Sequence, residues 1–310
     1  MTRPAVPLPT SFATGLLLAS AGSIAFSGKA IIVKLAYLHG VDAVTLIMYR
    51  MLFALPLFLA LAWWFSRGQP PLSRRDWLGI AGLGLTGYYL ASFLDFWGLQ
   101  YISASLERLI LYLNPTLVLV LGWLLYGRRI GRLQALAMAV SYAGVLLVFG
   151  HEADFAGPDA VTGALLVFGS AISYAIYLVY SGELVKRLGA MRLVGLATSV
   201  ACGLCLLQFV LLRPIEAATQ VAPEVIWLSV LNAMLCTFAP VIMVMMAIER
   251  IGASLAAQTG MIGPMSTIAM GVVILGEPFN RWIVAGTVLV VAGVFLVTRF
   301  GGPATPPKTD

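Results

Sequence analysis

Shifted by 149 positions, this chain overlays itself. Ile102, Ala104, Ser105, Leu106, Pro115, Gly122 and Gly127 recur as Ile251, Ala253, Ser254, Leu255, Pro264, Gly271 and Gly276. Further on, Ala143-Gly144-Val145 returns as Ala292-Gly293-Val294 at the same offset, with no insertion between the matched blocks. A duplicated unit accounts for this, and a repeat on that scale restricts the fold to two copies of one architecture. What the unit is made of then decides how the two copies face each other.

Hydrophobic residues make up 60% of the 310 and charged ones only 10%, with a mean hydropathy of +0.95. A soluble domain is about a quarter charged. Apolar segments fall near 12–33, 44–65, 77–98, 105–126, 133–150, 161–181, 193–212, 225–247, 254–275 and 282–299. Most are about 20 residues long, enough at about 1.5 Å per residue to cross a hydrocarbon core of about 30 Å. The fold class is therefore all-α and polytopic, with ten transmembrane helices. Residues 12–150 form the first five-helix repeat and 161–299 the second, with 1–11 and 300–310 as tails. Five spans are an odd number, so the two repeats are inverted relative to each other, an arrangement typical of secondary transporters.

Basic residues mark alternate connections: Arg67, Arg74 and Arg75; Arg128, Arg129 and Arg132; Lys186, Arg187 and Arg192; then Arg250. The intervening connections carry Glu152, Asp154 and Asp159, or Glu216 and Glu224 against Arg213. By the positive-inside rule the basic set is cytoplasmic, and so are both termini with Arg3, Arg299 and Lys308. That places thirteen of the nineteen bases inside, in a bacterial inner membrane. The first segment lacks the short apolar core and cleavage site of a secretory signal and reads as a retained span. The bases form no run on a soluble face, so the net charge of +6 does not point to nucleic acid. Cys202 and Cys205 form a CxxC, but with no second pair and neither His39 nor His151 nearby they read, like Cys236, as small hydrophobes. No metal, cofactor or disulfide is expected.

In each copy a short connection ending in Ala-Ser leads into a helix with a proline ten residues after the serine: Ser105 to Pro115, and Ser254 to Pro264. A proline inside a span frees a carbonyl at membrane depth, which needs protein or water beside it. Recurrence in both halves favours a pair of interrupted helices flanking a central cavity over two ordinary kinks. The run from Gly98 to Pro115, the second-half Glu249-Arg250-Ile251-Gly252-Ala253-Ser254 through Pro264, and Gly276-Glu277-Pro278 resemble the drug/metabolite transporter superfamily, in its bacterial EamA branch. The resemblance spans essentially the whole chain. It implies a ten-helix inverted-repeat carrier working by alternating access, most of whose bacterial relatives are exporters of small molecules. One departure stands out: many relatives close the fourth helix with Gly-Glu, where this chain has Gly127-Arg128 and keeps Gly-Glu only at Gly276-Glu277.

Charges inside spans cost at least about 2.5–3.5 kcal/mol each at a helix centre, so they face a cavity or a partner. Lys29, Lys34, Arg50, Asp95, Glu107 and Arg108 all lie in the outer half of the first copy. Apart from Lys34, which maps to Glu183, their counterparts carry no charge: Leu178, Ser199, Val244, Ala256 and Ala257. Two readings stand. In one, the cluster is a set of ion pairs, such as Arg50 with Asp95 or Lys29 with Glu107. In the other, Lys29, Arg50 or Arg108 binds an anionic substrate group while Asp95 or Glu107 carries a coupling proton. Glu107 lies seven residues before Asn114 and shares its helix face, which makes it a better cavity candidate than Arg108. The second half offers neutral groups, Ser173, Tyr174, Tyr177, Asn232, Thr237, Gln258 and Thr259, and Tyr88 matches the tyrosines in kind.

The binding set expected from sequence is therefore Lys29, Arg50, Tyr88, Asp95, Glu107, Arg108, Asn114, Tyr174, Tyr177, Gln258 and Thr259, with helix breaks at Pro115 and Pro264. Aromatic walls with a few polar groups suit a small amphipathic metabolite such as an amino acid. The chain reads as a secondary exporter in the lipid bilayer, a monomer or homodimer. An alternative within the superfamily is an accessory or lipid-linked-sugar translocating protein. An intramembrane enzyme is disfavoured, since no span holds a His and no HExxH, GxSxG or nucleotide-binding loop occurs.

Overall fold

The computed structural model of the protein describes residues 10–127, 130–156 and 158–300. Most of both predicted tails, together with Arg128, Arg129 and Gly157, lies outside the described residues. Among those described, every regular element is helical. The first copy comprises α1 (Thr10–Tyr37), α2 (Ala43–Ser66), α3 (Arg74–Gly98), α4 (Ala104–Leu111), α5 (Asn114–Tyr126) and α6 (Arg132–Ala156). The second comprises α7 (Pro158–Leu188), α8 (Ala190–Leu212), α9 (Pro223–Ile251), α10 (Ala253–Thr259), α11 (Ile262–Leu275) and α12 (Arg281–Phe300). The pairs α4–α5 and α10–α11 each form one interrupted span, so each copy has five spans. Several helices run past the expected limits, because helical turns continue beyond the apolar stretch that hydropathy detects.

Capping residues set several starts. Asp42 accepts hydrogen bonds from the Val44 and Thr45 amides, at 3.0 and 3.3 Å, to open α2. Ser73 and Asp76 satisfy each other's backbone N–H to open α3. Gly127 and Gly276 end α5 and α11 in the left-handed conformation, with φ of 63° and 69°, and are equivalent in the repeat.

Helix neighbours obey an exchange rule. The fifth and tenth spans (α6, α12) pack on each other, as do the second and seventh (α2, α8). The first packs on the eighth (α1, α9) and the third on the sixth (α3, α7), which are the same contact once the copies are swapped. A pseudo-two-fold axis in the membrane plane produces this pattern, and with five spans per copy it inverts one copy relative to the other.

The α6–α12 seam explains the repeated Ala-Gly-Val. A Cβ on Gly144 would lie 2.7 Å from the Gly286 carbonyl oxygen, and one on Gly293 would lie 2.5 Å from that of Ala137. These contacts are equivalent, because Gly144 maps to Gly293 and Ala137 to Gly286. With no hydrophobic force between helices in lipid, close backbone approach at small residues carries the association.

Two further features recur. A π-helical turn interrupts α3 at Gly84–Leu90, and another interrupts α9 at Met234–Phe238. They start within one residue of equivalent positions. Such turns leave backbone carbonyls displaced from regular pairing and are frequent at functional sites.

Replacing Gly286 by valine drives the new side chain into Gly144 and into Val148, whose Cγ2 would lie 2.3 Å from the Cβ. We expect about 1–3 kcal/mol of destabilisation, read as a lowered melting temperature in detergent, whereas Gly203→Ala, with open space around its Cβ, is neutral. At Asp42, burial raises the carboxyl pKa, but hydrogen bonds from Thr45 and Arg213 outweigh it and hold the group below its usual range. Its stabilisation is therefore full above an unfolded pKa of about 3.9 and is lost as pH falls through the lower folded value. The melting-point gap between wild type and Asp42→Asn closes over that acid interval.

Candidate functional site

At the centre of the bundle is a cavity of about 250 Å³, walled by α1, α2, α3, α4, the start of α5, α7 and α9. The cationic side chains Lys29, Arg50 and Arg108 line it, with Asp95, Tyr88, Tyr174 and Asn114. All the charged residues among these are buried.

Lys29 joins the two carboxylates. Its ammonium donates to Asp95 Oδ2 and stands 3.1 Å from Glu107 Oε1. Of the two pairings expected as examples, Lys29 with Glu107 occurs, while no Arg50–Asp95 ion pair within 4.0 Å is found among the described residues. Asp95 Oδ1 has no hydrogen-bond partner among the described residues.

Arg50 and Arg108 are held by neutral groups. Arg50 Nε donates to Thr237 Oγ1 at 3.0 Å and Nη1 to Ser92 Oγ at 3.5 Å, and its guanidinium lies 5.1 Å from the Phe96 ring centroid. Thr237, in the π turn of α9, in turn donates to the Asn232 carbonyl at 2.9 Å. Arg108 Nη2 donates to Ser27 Oγ at 3.1 Å, its guanidinium is 5.3 Å from the Phe26 ring centroid, and its Nε has no partner among the described residues. Neither guanidinium forms an ion pair with a carboxylate among the described residues. Three cations against two carboxylates leave this region with an excess of positive charge.

The helix interruptions fall at residues 112–113 and 260–261, just before Pro115 and Pro264. At the first, Asn114 Nδ2 donates to the Leu111 carbonyl at 2.7 Å and Thr116 Oγ1 to that of Leu113 at 2.8 Å. At the second, Ser23 donates to the Gly260 carbonyl at 2.8 Å and Ser27 to that of Gly263 at 2.9 Å. Ser27 therefore connects the second break to Arg108 beside the first. Gly263 is what makes room: a Cβ there would lie 2.7 Å from Arg108 Nη2.

Tyr88 and Tyr174 form the aromatic wall. Tyr177 stands behind them, with its hydroxyl 3.2 Å from that of Tyr88 and its ring stacked on Tyr174 at 5.4 Å. The π turn of α3 presents Tyr88, and Gly87 beside it leaves space for the Tyr177 ring, which a Cβ would approach to 2.4 Å.

Four members of the expected set, Glu107, Tyr177, Gln258 and Thr259, do not line the cavity. Arg108 lines the cavity with Asn114, whereas Glu107 turns away toward Lys29. The break at Tyr112 and Leu113 interrupts the 100° periodicity that a seven-residue spacing assumes. Gln258 is exposed and Thr259 bonds its own helix at Leu255, so neither lines the cavity. They match Leu109 and Ile110, whose face of the helix points into the apolar core. Sequence reasoning missed Phe26, Ser27, Ser92 and Ser170. The only available signal was Ser23 and Ser27, hydroxyls four apart in an apolar helix.

A multi-pass inverted-repeat bundle with a charged cavity at its centre defines a membrane transporter. The family model described as EamA-like transporter family matches residues 13–150 and again 161–299, and the chain belongs to that family. It is 30% identical over 295 residues to the Bacillus subtilis protein named "Uncharacterized transporter YcbK", covering 92% of this chain and 91% of that one. An Archaeoglobus fulgidus protein named "Uncharacterized transporter" is 24% identical, over 92% of this chain and 97% of its own. A solved crystal structure superposes with a TM-score of 0.62 over 93% of this chain and 98% of its own, at 20% identity, a likeness of fold.

Removing the cation that two buried carboxylates share leaves both uncompensated. Lys29→Ala is expected to destabilise the folded protein by about 3–5 kcal/mol, and adding Asp95→Asn to recover part of that. Thermal unfolding of the single and double variants measures both.

Proposed function

We propose that this chain is a secondary carrier that exports a small amphipathic metabolite bearing an acidic group, with an amino acid as the model ligand. The observation that carries this reading is the pair of buried guanidiniums, Arg50 and Arg108, facing a cavity with no carboxylate bound to either among the described residues. A substrate carboxylate supplies the missing charge. The open acceptors Asp95 Oδ1 and Asn114 Oδ1 suit the ammonium of a zwitterion, and Tyr88 and Tyr174 suit its apolar part. A volume of about 250 Å³ is below the roughly 300–1,000 Å³ of drug-sized sites.

Direction and energy source belong to the same proposal. The basic connections support cytoplasmic termini in a bacterial cell, and export is the mode that the family resemblance implies. Exchange against protons, or the solute's own gradient, drives it. Glu107, fully buried beside Lys29, is the group whose protonation would alter the pairing there.

A lipid-linked sugar would need polar groups continuous with a lipid-facing groove. The groove of about 300 Å³ beside α6 and α7 is lined by aliphatic and aromatic side chains such as Leu146, Leu165 and Phe168, which favours the metabolite reading.

The test is a thermal-shift screen of purified protein against amino acids, organic acids and their uncharged analogues. Compounds with an acidic group should raise the melting point and their amides should not; equal shifts from both sink the proposal. For a ligand so identified, Arg50→Ala and Arg108→Ala each weaken binding roughly 10–100-fold, the loss expected for a hydrogen bond to a charged group. Glu107→Gln and Arg50→Ala impair flux in proteoliposomes while membrane insertion stays normal. Undiminished flux in both removes the site assignment.

A further inference from the structure

At the outer end of the bundle, under the orientation proposed above, two carboxylates from different elements meet the start of α4. Glu277, in the turn between α11 and α12, accepts the Ala104 amide on Oε1 at 2.7 Å. Its Oε2 accepts the Ser105 amide and hydroxyl at 3.2 and 2.5 Å. Glu152, near the end of α6, accepts the Ser103 amide and hydroxyl at 2.6 and 2.7 Å. All four carboxylate oxygens are used. Helix N-termini attract negative charge, and charge-assisted hydrogen bonds are the strong ones. Gly271 makes the fit possible, since a Cβ there would lie 2.7 Å from Glu277 Oε2.

The equivalent start of α10, at the other end of the bundle, is built from different residues. Ser103 maps to Gly252, which has no side chain to cap a helix. Glu152 maps to Gly301, and Glu277 to Arg128. Gly127 and Gly276 end their helices in the same left-handed conformation, and the residues that follow them in the sequence are Arg128 and Glu277. Each acceptor that binds α4 has thus been lost from the second end, while Ala253 and Ser254 still match Ala104 and Ser105.

We propose that Glu277 and Glu152 form a latch that holds the outer gate shut, and that the inner gate, whose sequence has neither glutamate at the equivalent positions, is not held in this way. The proposal rests on the alternating-access and orientation readings above. Because α4 carries Glu107 and Arg108, any outward opening that swings it must first break these bonds. The empty carrier therefore rests closed to the outside, and loading from the cytoplasm comes first in the cycle.

The test is a labelling experiment on the full-length protein carrying Ser92→Cys, a cavity position, against the background of the buried native cysteines. A membrane-impermeant maleimide is applied to whole cells and, separately, to inside-out vesicles. Glu277→Ala should raise external labelling roughly fivefold or more. Arg128→Glu, which restores a glutamate at the position equivalent to Glu277 in the repeat, should lower cytoplasmic labelling by a similar factor. Unchanged external labelling in the first variant overturns the latch, and unchanged cytoplasmic labelling in the second overturns the asymmetry. Should Glu277→Ala fail to reach the membrane, hydrogen exchange at the Ala104 and Ser105 amides of Glu277→Gln replaces it, with faster exchange expected and unchanged exchange overturning the latch. None of these readouts requires a substrate, so they succeed or fail independently of the anion-binding reading.

Discussion

No backbone polar group can be left bare in hydrocarbon, and this chain breaks its helices where that rule is hardest to meet. Two spans are interrupted and two contain π turns, all near the cavity. Short polar side chains donate to backbone carbonyls at these places: Ser23 and Ser27 at one break, Asn114 and Thr116 at the other, Thr237 at a π turn. The same hydroxyls then hold the arginines. Ser27 accepts from Arg108 and Thr237 from Arg50, so the bonds to backbone carbonyls and the placement of positive charge are one network.

Much of the fold was legible in the sequence because its signals are long. Ten apolar runs and an uninterrupted offset of 149 residues lead directly to five spans per copy and an inverted pair. The candidate site was legible only in part. Lys29, Arg50, Asp95 and Arg108 stand out because charge is scarce in such a chain, and they do converge on one cavity. Ser27 and Ser92 could not be singled out, since a serine in a membrane helix looks alike whether it bonds its own turn or an arginine on another helix. Gln258 was misplaced because a residue's direction depends on the rotation of a seven-residue helix between a glycine and a break, which no periodicity reveals. Glu107 and Arg108 exchanged expected roles for the same reason.

The duplication divides labour between backbone and side chains. The scaffold keeps its symmetry through small residues, Gly144 with Gly286 and Gly293 with Ala137, which decide how closely helices approach. The charges ignore it. Lys29, Arg50, Asp95, Glu107 and Arg108 have apolar or small counterparts, and the two glutamates that hold α4 correspond in the repeat to an arginine and a glycine. A two-fold scaffold gives a carrier two related conformations, while unequal side chains set their relative energies.

The π turns give the spans beside the cavity a mechanical property that a regular helix lacks. Each turn holds one residue more than α-geometry requires, so it is a store of slack. If the turn at Gly84–Leu90 passed its extra residue along the helix, the side chains it crossed would swing by about 100°. Tyr88 would leave the cavity and a neighbour would take its place, with the two ends of α3 staying where they are. The wall of the cavity could thus change composition without the bundle changing shape.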